Sequence, residues 1–337
     1  MTNQRTRPRQ ERAATDPAPA AAGRDGGGGR DGGGDGPRFR SGFACFVGRP
    51  NAGKSTLTNA LVGTKIAITS GRPQTTRHAI RGIVHRPDAQ LVLVDTPGLH
   101  RPRTLLGQRL NDIVRGTLSE VDVVGFCMPA NEPTGRGDRF IAQELSRLPR
   151  RTPVVAILTK VDLVPDPDRV GARLLDIAAL GDFAEIIPVS AVSSFQVDKL
   201  ADLLVSRLPE GPPLYPDGEL TDEPEQVMVA ELVREAALEG VRDELPHSLA
   251  VVVEEMLPRE GRPPDRPLLD IHVNVFVERP SQKAIVIGAG GSRLREVGTR
   301  ARRQIEALLG TRVYLDLHVK VAKDWQRDPR QLRKLGF

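Results

Sequence analysis

Residues 48–55 read Gly-Arg-Pro-Asn-Ala-Gly-Lys-Ser, and an apolar run, Phe43–Val47, leads into them. That spacing makes a phosphate cradle. Gly48 and Gly53 let backbone N–H groups curl round phosphate oxygens, Lys54 reaches the β/γ oxygens, and Ser55 offers its hydroxyl to Mg²⁺. Arg49, Pro50, Asn51 and Ala52 inside the loop, with Thr56 just after it, complete the expected nucleotide-binding stretch. A second set, Thr159-Lys160-Val161-Asp162, follows the apolar run Val154–Leu158. The Asp162 carboxylate can accept hydrogen bonds from guanine N1–H and the 2-amino group, which adenine does not offer, while the Lys160 stem lies along the purine plane. This chemistry selects GTP over ATP. Ser190 and Ala191, after the run Ile186–Val189, put backbone N–H groups where guanine O6 would sit.

In their order along the chain these motifs resemble those of phosphate-loop GTPases, and the resemblance assigns further residues. Leu91-Val-Leu-Val-Asp95-Thr96-Pro97-Gly98 reads as a buried strand that delivers an Asp to the Mg²⁺ shell, with the Gly98 N–H sensing the γ-phosphate. In Gln74-Thr75-Thr76-Arg77, Thr76 is the expected third metal-site residue beside Ser55 and Asp95, because it directly precedes the Arg as in related translation-associated GTPases. Leu99 follows the Gly and cannot orient an attacking water as Gln does, so slow intrinsic hydrolysis is expected. Asn51 occupies the position that in several GTPases lacking that Gln holds a K⁺ ion. Lys54, Asn51, Thr76 and Gly98 are then the expected catalytic group. Most such base-reading motifs begin with Asn; the shorter Thr159 hydroxyl can tie its loop to the phosphate loop but contacts guanine N7 less well, which predicts weaker guanine affinity. His100, the nearest titratable side chain, reads as part of a switch loop.

The elements that position these residues are legible in outline. Residues 1–40 hold Gly-Gly-Gly-Gly and Gly-Gly-Gly runs among Arg, Asp, Pro and Ala, with no apolar periodicity, and read as a disordered tail. Across 41–209 the short apolar runs Phe43–Val47, Leu91–Val94, Val121–Met128, Val154–Leu158 and Ile186–Val189 alternate with helical stretches. That is the pattern of a doubly wound, mainly parallel α/β sheet covered on both faces. Pro209 to Pro216 breaks it and marks a linker, placed at 210–222. In 223–337, Ile271, Val273, Val275 and Val277 alternate with His272, Asn274, Phe276 and Glu278, and Val313–Val321 alternates likewise. Such strands bury one face only. With helices expected at Val227–Glu239 and Ser292–Leu309, this is a smaller α+β domain with helices on one side of a three-stranded sheet, ending in a basic tail. Cys45 and Cys127 fall in apolar runs and read as buried free thiols of a reducing cytosol. No stretch approaches the ~18 apolar residues of a membrane span, so a soluble, cytoplasmic chain is expected. Of the net charge of +5, residues 259–337 supply an excess, with 17 Lys/Arg against 9 Asp/Glu, which makes that end a nucleic-acid candidate.

Ile285-Val286-Ile287-Gly288-Ala289-Gly290-Gly291-Ser292-Arg293-Leu294-Arg295 reads as strand, G-x-x-G loop and helix, the arrangement with which a KH module clamps a single-stranded nucleic-acid backbone. Ala289 and Gly290 carry no charge, so backbone N–H groups with Lys283, Arg293 and Arg295 are the expected RNA contacts, and Phe276, Tyr314 and His318 are weaker stacking candidates. Together with Val319-Lys-Val-Ala-Lys-Asp-Trp325 and Leu332-Arg-Lys-Leu-Gly-Phe337, the stretch from Phe43 to Phe337 resembles the Era family of bacterial GTPases, which carry a C-terminal type II KH domain. The resemblance implies GTP/GDP and Mg²⁺ as ligands and a ribosome-assembly role in which the GTP state grips the 3′ end of 16S ribosomal RNA on the small subunit. It also implies peripheral contact with the inner face of the plasma membrane, and no DNA partner. Two rival readings stand beside it: an RNA binder whose nucleotide site has degenerated, and a switch that recruits a protein or membrane surface.

Overall fold

The computed structural model describes residues 38–69, 76–100, 102, 104–149, 152–239, 248–263 and 265–337. Residues 1–37 of the expected tail, Gln74 and Thr75 lie outside them; at 38–40 the tail expectation is corrected, because Arg40 opens the first strand and its Nη1 donates to Leu208 O while Arg38 pairs with Glu210. The chain runs β1 (Arg40–Val47), α1 (Lys54–Val62), β2 (Ile80–Arg86), β3 (Ala89–Asp95), α2 (Leu105–Glu120), β4 (Val123–Pro129), α3 (Arg136–Leu145), β5 (Val154–Thr159), α4 (Pro167–Ala178), β6 (Glu185–Pro188) and α5 (Val197–Val205). These strands form one sheet in the order β2-β3-β1-β4-β5-β6, with β2 antiparallel to β3 and the other pairs parallel. Both faces are buried, as the apolar runs require: Ala44 and Phe46 of β1 pack with Leu57 and Leu200 of α1 and α5, while Cys45 and Val47 pack with Val114 and Ile141 of α2 and α3. The strand order reverses at β1, whose carboxyl end opens between β3 and β4. That crevice is where doubly wound sheets bind ligands.

Pro209–Pro216 does not hang free. Ser41 N–H donates to Pro209 O (3.2 Å), and the buried Gln90 side chain accepts from Leu214 N–H (2.6 Å) and Tyr215 N–H (2.9 Å). The segment is thereby laid along the sheet before the chain enters α6 (Glu225–Leu238), β7 (Ala250–Pro258), β8 (Leu268–Val277), α7 (Pro280–Ile287), α8 (Ser292–Leu309), β9 (Arg312–Val321) and α9 (Pro329–Lys334). The second sheet runs β7-β8-β9, antiparallel then parallel. Ile271, Val273, Val275 and Val277 of β8 face α6, α7 and α8 in one apolar cluster, as the alternation predicts.

Two further expectations are corrected here. Residues 285–287 are not a strand but the last turn of α7. Pro280 presets the first helical turn, and the Gln282 side chain accepts from Glu278 and Arg279 N–H (2.9 and 3.0 Å), so capping decides what three apolar residues alone cannot. The strands do not bury one face only: Asn274 is 1% exposed, and Phe276 packs with Trp325, Leu106 and Leu110. The chain after β9 folds back to make this second contact. Trp325 is fully buried, donates from Nε1 to Ser248 O (2.9 Å) and stacks on Phe337 (5.6 Å), whose ring in turn stacks on His78 (5.2 Å). Pro37–Phe337 is therefore one compact unit.

Candidate functional site

The phosphate loop leaves β1 at Gly48, where a Cβ would lie 2.5 Å from the Cys127 carbonyl oxygen, and enters α1 through Gly53 at φ +90°. Only glycine fits the first position, and the second is a left-handed conformation. Asn51 also takes positive φ (64°). Lys54 is buried, with Nζ 3.2 Å from Arg49 O and 3.4 Å from Gly48 O. Burial pushes its pKa down while the Asp95 charge opposes that, so the two buried charges support each other. Arg49 is turned away from the loop's interior to the buried Asp138 (2.8 Å) and to Glu132 (3.0 Å). The Cys127 thiol is pushed up to about 12 by burial, and both cysteines are free and buried, as expected.

Three oxygens converge beside the loop. Ser55 Oγ lies 2.7 Å from Asp95 Oδ2 and 2.9 Å from Thr76 Oγ1, and Thr76 Oγ1 lies 2.9 Å from Asp95 Oδ2. The other carboxylate oxygen, Oδ1, is buried without a partner. Burial raises the Asp95 pKa, and Lys54, Ser55 and Thr76 pull it back. An all-oxygen set holding one anionic, under-satisfied carboxylate suits a small hard dication such as Mg²⁺. Thr96 hydrogen-bonds Phe46 O (2.8 Å), and Gly98 is pressed against the loop, where a Cβ would sit 2.8 Å from Pro50 N. Leu99 is buried in the apolar core on the α2 and α3 side, so its side chain takes no part in the crevice. The His100 carbonyl accepts from Asn111 Nδ2 (2.7 Å), fixing the start of that loop to α2.

The third part is a pocket of about 370 Å³ walled by Gly53, Leu57, Thr159, Lys160, Asp162 and Ala191. Thr159 Oγ1 donates toward Ala52 O (2.7 Å), tying the loop as expected, and Lys160 Nζ reaches Asn51 O (2.6 Å). Ser190 Oγ donates to Asp162 Oδ1 (2.6 Å), and Val161 packs into the core below. The residues assigned to phosphate, metal and base from sequence are thus brought to one crevice at the β1 end.

The basic residues divide differently. Gly288, Gly290 and Gly291 all have positive φ (73°, 57° and 75°) in the turn that joins α7 to α8 through Ala289. Arg295 is exposed and, with Gly291, Leu294, Arg302 and Tyr314, lines a groove of about 340 Å³ between α8 and β9. Arg302 was missed from sequence; the helical spacing from Arg295 would have found it. Lys283 sits on α7, half-buried. Arg293 is turned to the end of α6, where Nη2 donates to Ala237 O (3.2 Å) and Glu239 O (2.8 Å). Among the stacking candidates, Tyr314 is half-exposed with the Arg259 guanidinium 4.7 Å from its ring centre, His318 is held by Asp316 (3.0 Å), and Phe276 is committed to the Trp325 cluster.

A phosphate loop, an oxygen triangle and a pocket walled by Thr159, Lys160 and Asp162 at the switch point of one sheet, with a G-x-x-G groove beside another, define a phosphate-loop GTPase fused to a KH module. Residues 43–160 match the 50S ribosome-binding GTPase family, and 244–326 match the KH domain family. GTPase Era of Streptomyces coelicolor is 73% identical over 303 residues, covering 88% of this chain and 95% of that protein. A crystal structure of Era in complex with MgGDPNP and nucleotides 1506–1542 of 16S ribosomal RNA has a TM-score of 0.84 at 37% identity, covering 88% of this chain and 99% of its own. Aquifex aeolicus Era bound to GDP and AlF₄⁻ gives the same figures. The chain belongs to the Era family of GTPases, and its reaction is hydrolysis of GTP to GDP and phosphate.

Proposed function

We propose that this chain is a slow GTP-hydrolysing switch whose nucleotide part, 41–209, sets the grip of its KH part, 223–337, on the 3′ end of 16S ribosomal RNA, in aid of small-subunit assembly. The relative solved with that RNA and with MgGDPNP supports both ligands. The observation that carries the switch reading is adjacency: Thr76 closes the oxygen triangle, and Arg77, the next residue, is fully buried and donates from Nη1 to Leu249 O (2.6 Å) at the start of the KH sheet. Ser55, Thr76 and Asp95 would hold Mg²⁺, which when bound supplies positive charge to the β/γ-phosphate oxygens. Lys54 adds a second positive charge there, and the Gly98 backbone closes over the γ-phosphate. Leu99 leaves the attacking water without a side-chain orienter, so turnover is slow, and Asn51, held outward at positive φ, is the residue to share a K⁺ ion with the phosphates. Asp162 reads guanine. The intact triangle and pocket weigh against a degenerate nucleotide site.

The KH contacts are the Gly288–Gly291 backbone with Arg295 and Arg302, and Lys283 at the rim, whereas Arg293 holds α6. The same basic end would bring the chain to anionic headgroups on the cytoplasmic face of the membrane; among the described residues no helix is long and apolar enough to cross one. The test is Arg295→Glu with Arg302→Glu. Binding of an oligonucleotide from the 3′ end of 16S ribosomal RNA should fall about a hundredfold, with GTP turnover in the absence of RNA unchanged. Unchanged RNA binding would remove the groove from the proposal.

A further inference from the structure

Thr159 has one hydroxyl hydrogen, and the structure shows where it goes. Oγ1 lies 2.7 Å from Ala52 O and 3.3 Å from Met128 O, both acceptors, in a side chain only 4% exposed and wedged between the phosphate loop and the end of β4. A hydroxyl that has given its proton presents only lone pairs to its remaining neighbours. Guanine N7 is also a lone pair. An amide at this position would carry two N–H groups, one for the loop and one for the base.

The Lys160 ammonium and the Ser190 hydroxyl are committed as well. Lys160 Nζ donates to Asn51 O (2.6 Å), and Ser190 Oγ to Asp162 Oδ1 (2.6 Å). Thr56 also lines the pocket, from the first turn of α1 next to the phosphate loop. Asp162 remains for the N1–H and 2-amino edge, and the Ala191 backbone lies beside it for O6. N7 comes next round the ring, on the side of Thr159.

We infer that this pocket reads guanine on its N1, 2-amino and O6 edge, leaving N7 without a hydrogen bond from Thr159, so that guanine nucleotides whose N7 is replaced by C–H are accepted as readily as guanine nucleotides themselves. This rests on the reading of the pocket as a guanine site. The ligand class is therefore wider than GTP and GDP: the 7-deazaguanine nucleotides belong to it, because a C–H facing the Thr159 oxygen replaces two opposed lone pairs. Thr159 is the residue that sets this width.

The experiment is calorimetric or fluorescence titration of the full chain with GDP, 7-deaza-GDP, IDP and ADP in Mg²⁺ buffer. Wild type should bind 7-deaza-GDP within about twofold of GDP, and both far more tightly than IDP or ADP. Thr159→Asn, checked by thermal melting, should tighten GDP by about 2- to 12-fold, the worth of one net hydrogen bond, with no gain for 7-deaza-GDP. A loss of about fivefold or more for 7-deaza-GDP on wild type, with GDP still preferred over ADP, overturns the N7 inference and leaves the guanine site standing; that result needs no variant. Equal binding of ADP and GDP overturns the guanine reading itself.

Discussion

Lys54 and Asp95 are buried together, and each is moved by the same low-dielectric surroundings: the ammonium downward, the carboxylate upward, each restrained by the other's charge. Such pairs mark working sites. Asp95→Asn keeps the shape but removes the anion from the oxygen triangle, so GTP turnover should fall by about 10²- to 10³-fold and the Mg²⁺ concentration for half-maximal rate should rise. Steady-state phosphate release across a Mg²⁺ titration checks both. Glu231 and Arg234 form a different buried pair, bidentate at 2.9 and 2.5 Å, within α6. Burial alone would raise the Glu231 pKa, but the Arg234 guanidinium brings it below its ordinary value. A depressed carboxyl stabilises the fold above its unfolded pKa of 4.5 and loses that contribution as pH falls through the folded value. Glu231→Gln should thus cost about 3–5 kcal/mol at neutral pH by removing the buried carboxylate that faces Arg234, with the gap to wild type closing below pH 4.5. Urea melts at several pH values measure it. At this scale the motifs were legible because phosphate, metal and guanine chemistry dictate side-chain type at fixed spacing. Partners far apart in sequence, such as Asp138 for Arg49 or the α6 carbonyls for Arg293, were not.

On either side of residues 70–75, Thr69 and the Arg77–His78 pair each contact the KH part. At the entry, Glu235 of α6 accepts from Thr69 N–H (2.8 Å) and pairs with Lys65. At the exit, Arg77 lies between Trp325 and Phe337 (5.7 and 5.8 Å), and His78 stacks on Phe337. Burial, then repulsion from Arg234, lowers Arg77 to about 9, so it stays charged at neutral pH. Burial likewise lowers His78 below 6.5, with Glu231 opposing and Arg234 and Arg77 reinforcing the shift. Because the folded state then binds fewer protons than the unfolded one, this docking weakens as pH drops below 6.5. Trp325 is the only tryptophan, so its emission should shift red between about pH 7.5 and pH 5.5, and His78→Phe should abolish the shift. An unchanged wild-type spectrum would refute the coupling. Strand-forming runs were readable by period and length, whereas the helical fate of 285–287 and the buried second face of β8 depend on a cap and on Trp325, which local pattern does not carry.

At the scale of the whole molecule, two sheets share one switch segment. The nucleotide crevice and the KH groove need no direct contact if Thr76 and Arg77 move together, because the first faces the metal site and the second is held by the KH sheet. Arg77→Ala should therefore leave GDP affinity within about twofold while erasing the dependence of RNA binding on nucleotide, a loss of coupling without loss of either site. The fold class, the phosphate loop and the G-x-x-G turn were legible because each part has its own periodicity and motif. The docking between them was not, since it is made by Leu249, Trp325 and Phe337, residues without chemistry of their own.

The most direct measurement is the affinity of the full wild-type chain for a labelled oligonucleotide from the 3′ end of 16S ribosomal RNA, against a scrambled control, with Mg²⁺ and either a non-hydrolysable GTP analogue or GDP. The switch account predicts selective binding that is at least about tenfold tighter in the GTP-analogue state, the range of ordinary allosteric coupling. Equal affinity in the two states, or no preference over the scrambled strand, would contradict it.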